Sequence, residues 1–305
     1  MTPPGHSRQG RVLEAAGGFY LIQLEEGPRV EARLRGRLKR IARTGDRVVA
    51  GEKVGACRDR ESGAWTIEAV RERDNELVRA GPGGRRPKVV AANIDRLFVV
   101  FSAVDPPLAP RTADRFLILG EVCGIPPILV INKLDLPGAA RVAGATASAY
   151  ATAGYEVLGL SARTGDGLEA VRTRMGDGVS VLVGPSGVGK STILNALFPG
   201  LGLRTAEVSR RGGRGRHTTV SARLFGVAPG AWVADTPGFS DVTLWGVDPA
   251  RLSDAFPEFR DPSAGCRFRR CTHSHEPDCG VGAAVSDGRI AKARYESYLA
   301  LLGGA

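Results

Sequence analysis

The sequence predicts an α/β protein in three parts: a small N-terminal β-barrel, a doubly covered parallel-sheet core, and a compact C-terminal module built around cysteine and histidine. Three observations carry this prediction. Short alternating runs broken by glycine fill residues 10–70, apolar strand-like runs alternate with helical stretches over 97–197, and three of the five cysteines crowd into 266–279.

In the first part, Gly18–Leu24 and Gly45–Ala50 read as strands punctuated by turns, the texture of a small all-β barrel. Its middle, Arg29–Arg43, holds Arg29, Arg33, Arg35, Arg37, Lys39, Arg40 and Arg43 against the single acid Glu31. Such a stripe suits a polyanion or is simply a solvated face. Arg79–Lys88 is rich in Gly, Pro and Arg without periodicity and reads as a linker or mobile loop, which places a boundary near 75–90. The second part then alternates strands (97–103, 128–131, 157–160, 179–183) with helices (112–122, 138–152, 167–174, 190–197), as an open parallel sheet demands. From Asp248 onward the sequence shows no such strands, only the Cys/His cluster and a final helical run, Arg289–Leu302, so this part is expected to have a small core.

Composition bounds the function. The chain has 305 residues, 43% hydrophobic and 24% charged, enough for more than one domain and too apolar for disorder. A net charge of +10 favours a polyanionic partner, nucleic acid or a membrane surface. The longest apolar runs are strand-sized, such as Leu97–Val104, well short of the roughly 18 residues a membrane span needs. Residues Met1–Arg8 lack the apolar core of a secretory signal, so a reducing cytoplasm is expected, disulfides are disfavoured, and the clustered cysteines suggest a metal. Cys57 and Cys123 lie far from the cluster and read as small buried apolar residues.

Gly184-Pro185-Ser186-Gly187-Val188-Gly189-Lys190-Ser191 matches G-x-x-x-x-G-K-[ST] between a strand and a helix, the context a phosphate-binding loop requires, with Thr192 in the helix's first turn. Glycines let the backbone wrap around phosphate, Lys190 can reach the β- and γ-phosphates, and the Ser191 hydroxyl can ligate Mg²⁺. Asn132-Lys133-Leu134-Asp135 follows the strand 128–131, where open α/β sheets place ligand contacts. The Asp135 carboxylate can accept from guanine N1–H and its exocyclic amine, a donor pair adenine lacks, which argues for GTP. Ser161-Ala162-Arg163 ends another strand and can offer a backbone N–H to guanine O6. Asp235-Thr236-Pro237-Gly238 follows the strand 231–234; Asp235 can hold Mg²⁺ through water and the Gly238 N–H can meet the γ-phosphate. Between them the basic segment Arg210–Thr219 ends in hydroxyls, Thr218 and Thr219, either of which can close on the metal.

All the nucleotide motifs of a small GTPase are therefore present, but Asn132–Asp135 and Ser161–Ala162 precede the phosphate loop instead of following it, so the GTPase is circularly permuted. With the β region before it and the Cys/His cluster after it, the chain closely resembles the ribosome small-subunit-dependent GTPase A (RsgA) family over nearly its full length. The family's G-x-S-G-V-G-K-S is met by Gly184–Ser191 and its R-G-x-H-T-T by Arg214–Thr219. The resemblance implies an OB-fold RNA-binding domain (1–76), a permuted GTPase domain (77–247) and a zinc-binding domain with a C-terminal helix (248–305). It further implies a cytoplasmic monomer that binds the 30S subunit and its 16S rRNA late in maturation, with GTP hydrolysis to GDP stimulated by the subunit. On this basis Arg33, Arg35, Arg37, Lys39 and Arg40 of the barrel, and Arg267, Arg269 and Arg270 of the metal loop, are candidate RNA contacts.

The residue after Asp-x-x-Gly is Phe239, which cannot orient water as the glutamine often found there does. His217 is the best replacement within the switch segment, and the family histidine at this place is assigned that role. Cys266-x₄-Cys271-x-His273-x₅-Cys279 offers three thiolates and an imidazole, enough for one closed, structural Zn²⁺ site, with His275 as a competing imidazole. The family pattern selects His273. Two other readings stand beside this one: a permuted GTPase acting on a different ribosomal intermediate, and an RNA clamp in which nucleotide is bound but hydrolysis is incidental.

Overall fold

Val12, Ile22, Leu24, Val54 and Ile67 are buried at alternate positions of short strands, and burying them together closes a barrel. Strands β1 (Arg8–Ala16), β2 (Phe19–Leu24), β3 (Arg29–Leu34), β4 (Lys53–Arg58) and β5 (Trp65–Val70) pair in the order β1-β2-β3-β5-β4, and β4 returns to β1. A register shift between Val12 and Glu14 bends β1 so that it serves both neighbours. At Gly10 a side chain would meet Gln23 O at 2.6 Å, so the close approach of β2 requires glycine there. This is the OB-fold barrel. The computed structural model describes residues 7–36, 38, 48–80, 87–202, 222–236 and 248–303.

The chain divides into two bodies, the first drawn from 1–96, 175–182 and 213–239 and the second from 97–174, 183–212 and 240–305. In the first, β6 (Glu76–Ala80) and β7 (Pro87–Ala92) form an antiparallel hairpin with Leu77 opposite Ala91 and Arg79 opposite Lys88. The segment read as a linker thus contributes strand residues at both ends, because the flanking Leu77, Val78, Val89 and Val90 favour a pleated, half-buried surface over a tether. Residues 81–86 lie outside the described residues. Also in this body, β12 (Arg223–Ala228) and β13 (Ala231–Asp235) form a hairpin. β12 meets β1 at Glu14–Arg223, an ion pair of 3.1 Å, while β11 (Gly178–Val183) runs parallel to β13.

The second body is built on β8 (Arg96–Ser102), β9 (Pro127–Asn132) and β10 (Glu156–Gly159), parallel in the order β10-β9-β8. β8 and β9 are buried along almost their whole length, which is why they read as unbroken apolar runs. Helix α1 (Pro110–Cys123) starts with proline in its first turn and ends on Gly124 in the left-handed conformation, and it buries Ala113, Phe116, Leu117 and Gly120 on one stripe. Cys123, expected to be buried, is half-exposed near the end of that helix, whereas Cys57 is buried in the barrel. Helices α2 (Ala139–Thr152), α3 (Leu168–Met175) and α4 (Lys190–Leu197) complete the α/β part.

Residues 248–303 belong to the same body and carry more core than their sequence suggests. Two 3₁₀ turns (Pro249–Ala255, Pro257–Phe259) and helices α5 (Arg260–Ser263), α6 (Gly280–Ser286) and α7 (Lys292–Leu302) bury Leu252, Phe256, Phe259, Val281, Ile290 and Tyr298 together with Ile118 of α1. Phe259 lies 5.0 Å, centroid to centroid, from both Phe256 and Tyr298. The core here is larger than the small one expected and includes Ile118 of α1, since the aromatic residues that fill it sit mostly outside any strand or long helix and leave no periodic signal. The final helix begins at Lys292 instead of Arg289. Among the described residues, no helix is long and apolar enough to cross a membrane.

Candidate functional site: a guanine-type tetrapeptide beside a phosphate loop

The loop 184–189 turns on three glycines at positive φ, Gly184 (140°), Gly187 (84°) and Gly189 (100°), conformations a side chain would strain. At Gly184 a Cβ would sit 2.1 Å from Val100 O, and at Gly189 2.3 Å from Asn132 Nδ2. The glycines therefore serve both the turn and the close approach of β8 and β9. Lys190, first residue of α4, folds back over the loop and donates from Nζ to Gly184 O (2.6 Å) and Pro185 O (2.8 Å). Burial lowers its ammonium to about 8. Ser191 and Thr192 follow in the first turn, whose free N–H groups and dipole favour an anion.

Asn132 closes β9 with its side chain buried between two loops. Its Nδ2 donates to Val188 O of the phosphate loop (2.9 Å) and its Oδ1 accepts from Ala162 N (3.0 Å). Lys133 takes the left-handed conformation at φ 66° and donates from Nζ to Asp105 O (2.5 Å). Asp135 accepts from Ser161 Oγ (2.5 Å) and pairs with Arg163 Nε at 3.0 Å. The Ser161 hydrogen bond, aided by Arg163 and Lys133, holds the Asp135 carboxyl below the usual carboxylate range, so it stays an acceptor. The structure thus brings Asn132, Lys133, Asp135, Ser161, Ala162 and Gly184–Thr192 into one body. Sequence reasoning gives no sign of Asp105, which flanks a loop far from any motif, and marks Arg163 only for the backbone of its segment, whereas here its side chain pairs with Asp135.

Asp235 is exposed at the end of β13, in the first body. His217, Thr218, Thr219 and Gly238 lie outside the described residues, as do Arg37, Lys39 and Arg40. Of the remaining basic candidates, Arg33 is exposed on β3, Arg35 pairs with Glu68 at 2.9 Å, Arg267 pairs with Asp278 at 3.1 Å, and Arg269 and Arg270 are exposed.

The second candidate site is the cluster Cys266, Cys271, His273 and Cys279, whose ligand atoms lie within 4.8 Å of one another. His273 Nδ1 is 3.5 Å from the sulfurs of both Cys266 and Cys279, and its Nε2 faces Ser263 Oγ at 3.3 Å, a partner that orients the ring. Burial lowers the His273 imidazole, favouring the neutral form a metal needs. His275 is exposed beside Ser274 and is not among the four clustered donors. Gly280 N donates to Cys266 Sγ and Gly282 N to Cys279 Sγ, both at 3.3 Å, so the cluster is seated on the start of α6. Three sulfurs and one nitrogen form a donor set able to hold a metal ion.

A phosphate-loop motif that follows an Asn-Lys-x-Asp tetrapeptide in the chain, beside a parallel sheet, with an OB-fold barrel earlier in the sequence, defines a circularly permuted P-loop GTPase. The profile of the RsgA GTPase family matches residues 70–245. A small ribosomal subunit biogenesis GTPase RsgA from Gemmatimonas aurantiaca is 43% identical over 297 residues, covering 97% of this chain and 96% of its own. The protein of the same description from Bacillus cytotoxicus is 40% identical, covering 95% and 94%. Among solved structures, YjeQ from Thermotoga maritima superposes with a TM-score of 0.82 at 32% identity, covering 98% of each chain. YloQ, described as a circularly permuted GTPase, gives 0.75 at 30% identity, covering 100% of this chain and 96% of its own. The chain belongs to the RsgA GTPase family and is a GTP-hydrolysing enzyme.

Proposed function

We propose that this chain acts in biogenesis of the small ribosomal subunit, hydrolysing GTP to GDP in response to the 30S particle late in its maturation. The description shared by its relatives supports the partner. The observation that carries the nucleotide assignment is Asn132, which hydrogen-bonds the phosphate loop with one side-chain atom and the Ala162 loop with the other, so base and phosphates are read by one connected unit. In this reading Asp135 accepts from guanine, with Lys133, Ser161 and Ala162 around the base. Gly184–Thr192 and the Thr219 and Gly238 groups hold the phosphates. Lys190 exchanges its two carbonyl partners for β- and γ-phosphate oxygens.

Ser191, Thr219 and Asp235 present hard oxygen donors of the kind Mg²⁺ takes. When bound, Mg²⁺ would neutralise charge developing on the phosphate oxygens. His217 positions the attacking water, since Phe239 cannot. The Cys/His cluster holds one structural Zn²⁺: it supplies four protein donors of the right softness and leaves no open position for substrate. The +10 charge and the basic groups Arg33, Arg35, Arg37, Lys39, Arg40, Arg267, Arg269 and Arg270 support 16S rRNA as the direct contact. A soluble, monomeric, cytoplasmic protein of three domains, with boundaries near 76 and 247, completes the reading.

Single-turnover GTP hydrolysis with purified 30S and 50S subunits tests the proposal. Stimulation by 30S alone is expected, and no stimulation by 30S would end it. His217→Ala should leave GTP affinity nearly intact while removing most of the subunit-stimulated rate, part of the roughly 10³–10⁵ a partner can supply; unchanged stimulated turnover would take His217 out of the mechanism.

A further inference from the structure

Among the described residues, the exposed aromatic side chains are Phe19, 39% exposed, and Phe268, 44% exposed. Each ring carries an arginine. The guanidinium carbon of Arg33, directly opposite on β3, lies 4.4 Å from the Phe19 centroid, and that of Arg267 lies 5.7 Å from the Phe268 centroid. Phe268 sits in the run Arg267-Phe268-Arg269-Arg270, all four residues exposed, between two cysteines of the Cys/His cluster. The loop is pinned further by Arg267, which donates from its backbone N to Asp278 O and from its side chain to the Asp278 carboxylate. Arg269 and Arg270 have no ion pair among the described residues.

Holding an apolar ring in water forfeits burial. A ring held there by its own loop, with a cation on one face and unpaired cations beside it, suits a ligand that is at once flat, aromatic and anionic. A nucleobase on its phosphate backbone has that combination, and a protein surface rarely does. In a duplex the base faces are already stacked on one another, so only an unpaired base can use such a ring.

We propose that Phe268 and, separately, Phe19 are stacking platforms for unpaired RNA bases, with Arg267 and Arg33 orienting each ring and Arg269 and Arg270 taking the neighbouring phosphates. The inference rests on the ribosomal reading above for its partner, but it can fail alone. Anisotropy with the full-length protein and a labelled single-stranded RNA of about 12 nucleotides, against the same sequence as a duplex, tests it. Phe268→Ala and Phe19→Ala should each weaken single-strand binding by about 5- to 150-fold and change duplex binding by less than about twofold. Phe268→Trp should bind like the parent and Phe268→Leu like the alanine variant.

The slope of log affinity against log salt should stay unchanged in Phe268→Ala and flatten by about 0.7 in Arg269→Ala, separating stacking from charge. Melting temperature and metal content measured on each variant exclude misfolding, and Phe268→Trp against Phe268→Leu decides if alanine proves unstable. Equal binding by Phe268→Leu and the parent, equal losses on single strand and duplex, or no binding of single-stranded RNA by the parent would overturn the proposal. If 30S still stimulates hydrolysis in that event, the ribosomal reading stands without it; if the variants behave as expected and 30S does not stimulate, the platforms stand and that reading falls.

Discussion

Replacing Arg294 by methionine should destabilise the second body more than any change at its surface. The guanidinium is 5% exposed and lies 2.6 Å from Asp114 Oδ1 and 2.7 Å from Glu258 Oε1, carboxylates only 2% and 5% exposed. Tyr150 donates to the same Asp114 oxygen at 2.8 Å, and the rings of Tyr150, Tyr155 and Phe256 surround the cation at 4.9–5.7 Å. Burial alone would weaken the charged form, but Asp114 and Glu258 hold the guanidinium firmly protonated. Methionine keeps the stem and removes the charge, leaving two buried carboxylates facing each other. Breaking a buried pair in this way costs about 3–5 kcal/mol. At roughly 2–4 °C per kcal/mol for a body of this size, the melting temperature should fall by about 6–20 °C.

Urea denaturation followed by far-UV circular dichroism is the direct assay, and the midpoint should drop with the slope unchanged. Arg294→Met combined with Asp114→Asn and Glu258→Gln should recover much of the loss, since no buried charge then remains. A single-variant loss under about 1 kcal/mol would refute the reasoning, showing that the site relaxes to admit water.

Three further outcomes are expected. Because burial sets Lys190 near 8 and phosphate restores its proton, GTP binding should take up a proton as pH rises from 8 towards the ordinary 10.5, with affinity falling across that window; calorimetry in two buffers of different ionisation heat checks this, and no uptake at about pH 9 would refute it. Without nucleotide the sign reverses: the unfolded chain keeps its proton longer, so stability should rise over the same window. In protein loaded with Zn²⁺, chelation or Cys279→Ser should loosen residues 263–280 to hydrogen exchange while α7 stays protected, because Phe259 and Tyr298, which meet the His273 ring at 6.0 and 6.5 Å, also share one core with Phe256, Leu252 and Ile118 of α1; loss of protection throughout 248–303 would show that metal, not this core, holds the region. Gly189→Ala places a Cβ 2.3 Å from Asn132 Nδ2 at φ 100°, so GTP affinity should fall at least about tenfold, as equilibrium binding of a fluorescent GTP analogue would reveal, and the melting temperature by about 2–12 °C.

The parts legible in the sequence are those whose chemistry is local. Gly184, Gly187 and Gly189 announce a backbone that only glycine adopts readily, Lys190 and Ser191 follow at fixed offsets, and Cys266, Cys271, His273 and Cys279 lie close enough in the chain for their spacing to imply convergence. The permutation is legible for the same reason, because the order of local motifs needs no coordinates. What joins distant segments is not. Asp114 and Arg294 are separated by 180 positions, and a buried charge looks in sequence like any surface charge, so the cation that fastens α7 to α1 carries no signal of its own.

The same holds for Asn132. Its place in a tetrapeptide marks it for the base, but only the folded sheet brings Val188 O and Ala162 N within reach of its two side-chain atoms. Local geometry is written in residue identity and spacing, which a single chain displays directly. Pairing across the fold depends on which surfaces burial brings together, and that is settled only when strands, helices and the aromatic core between α1 and α7 have packed.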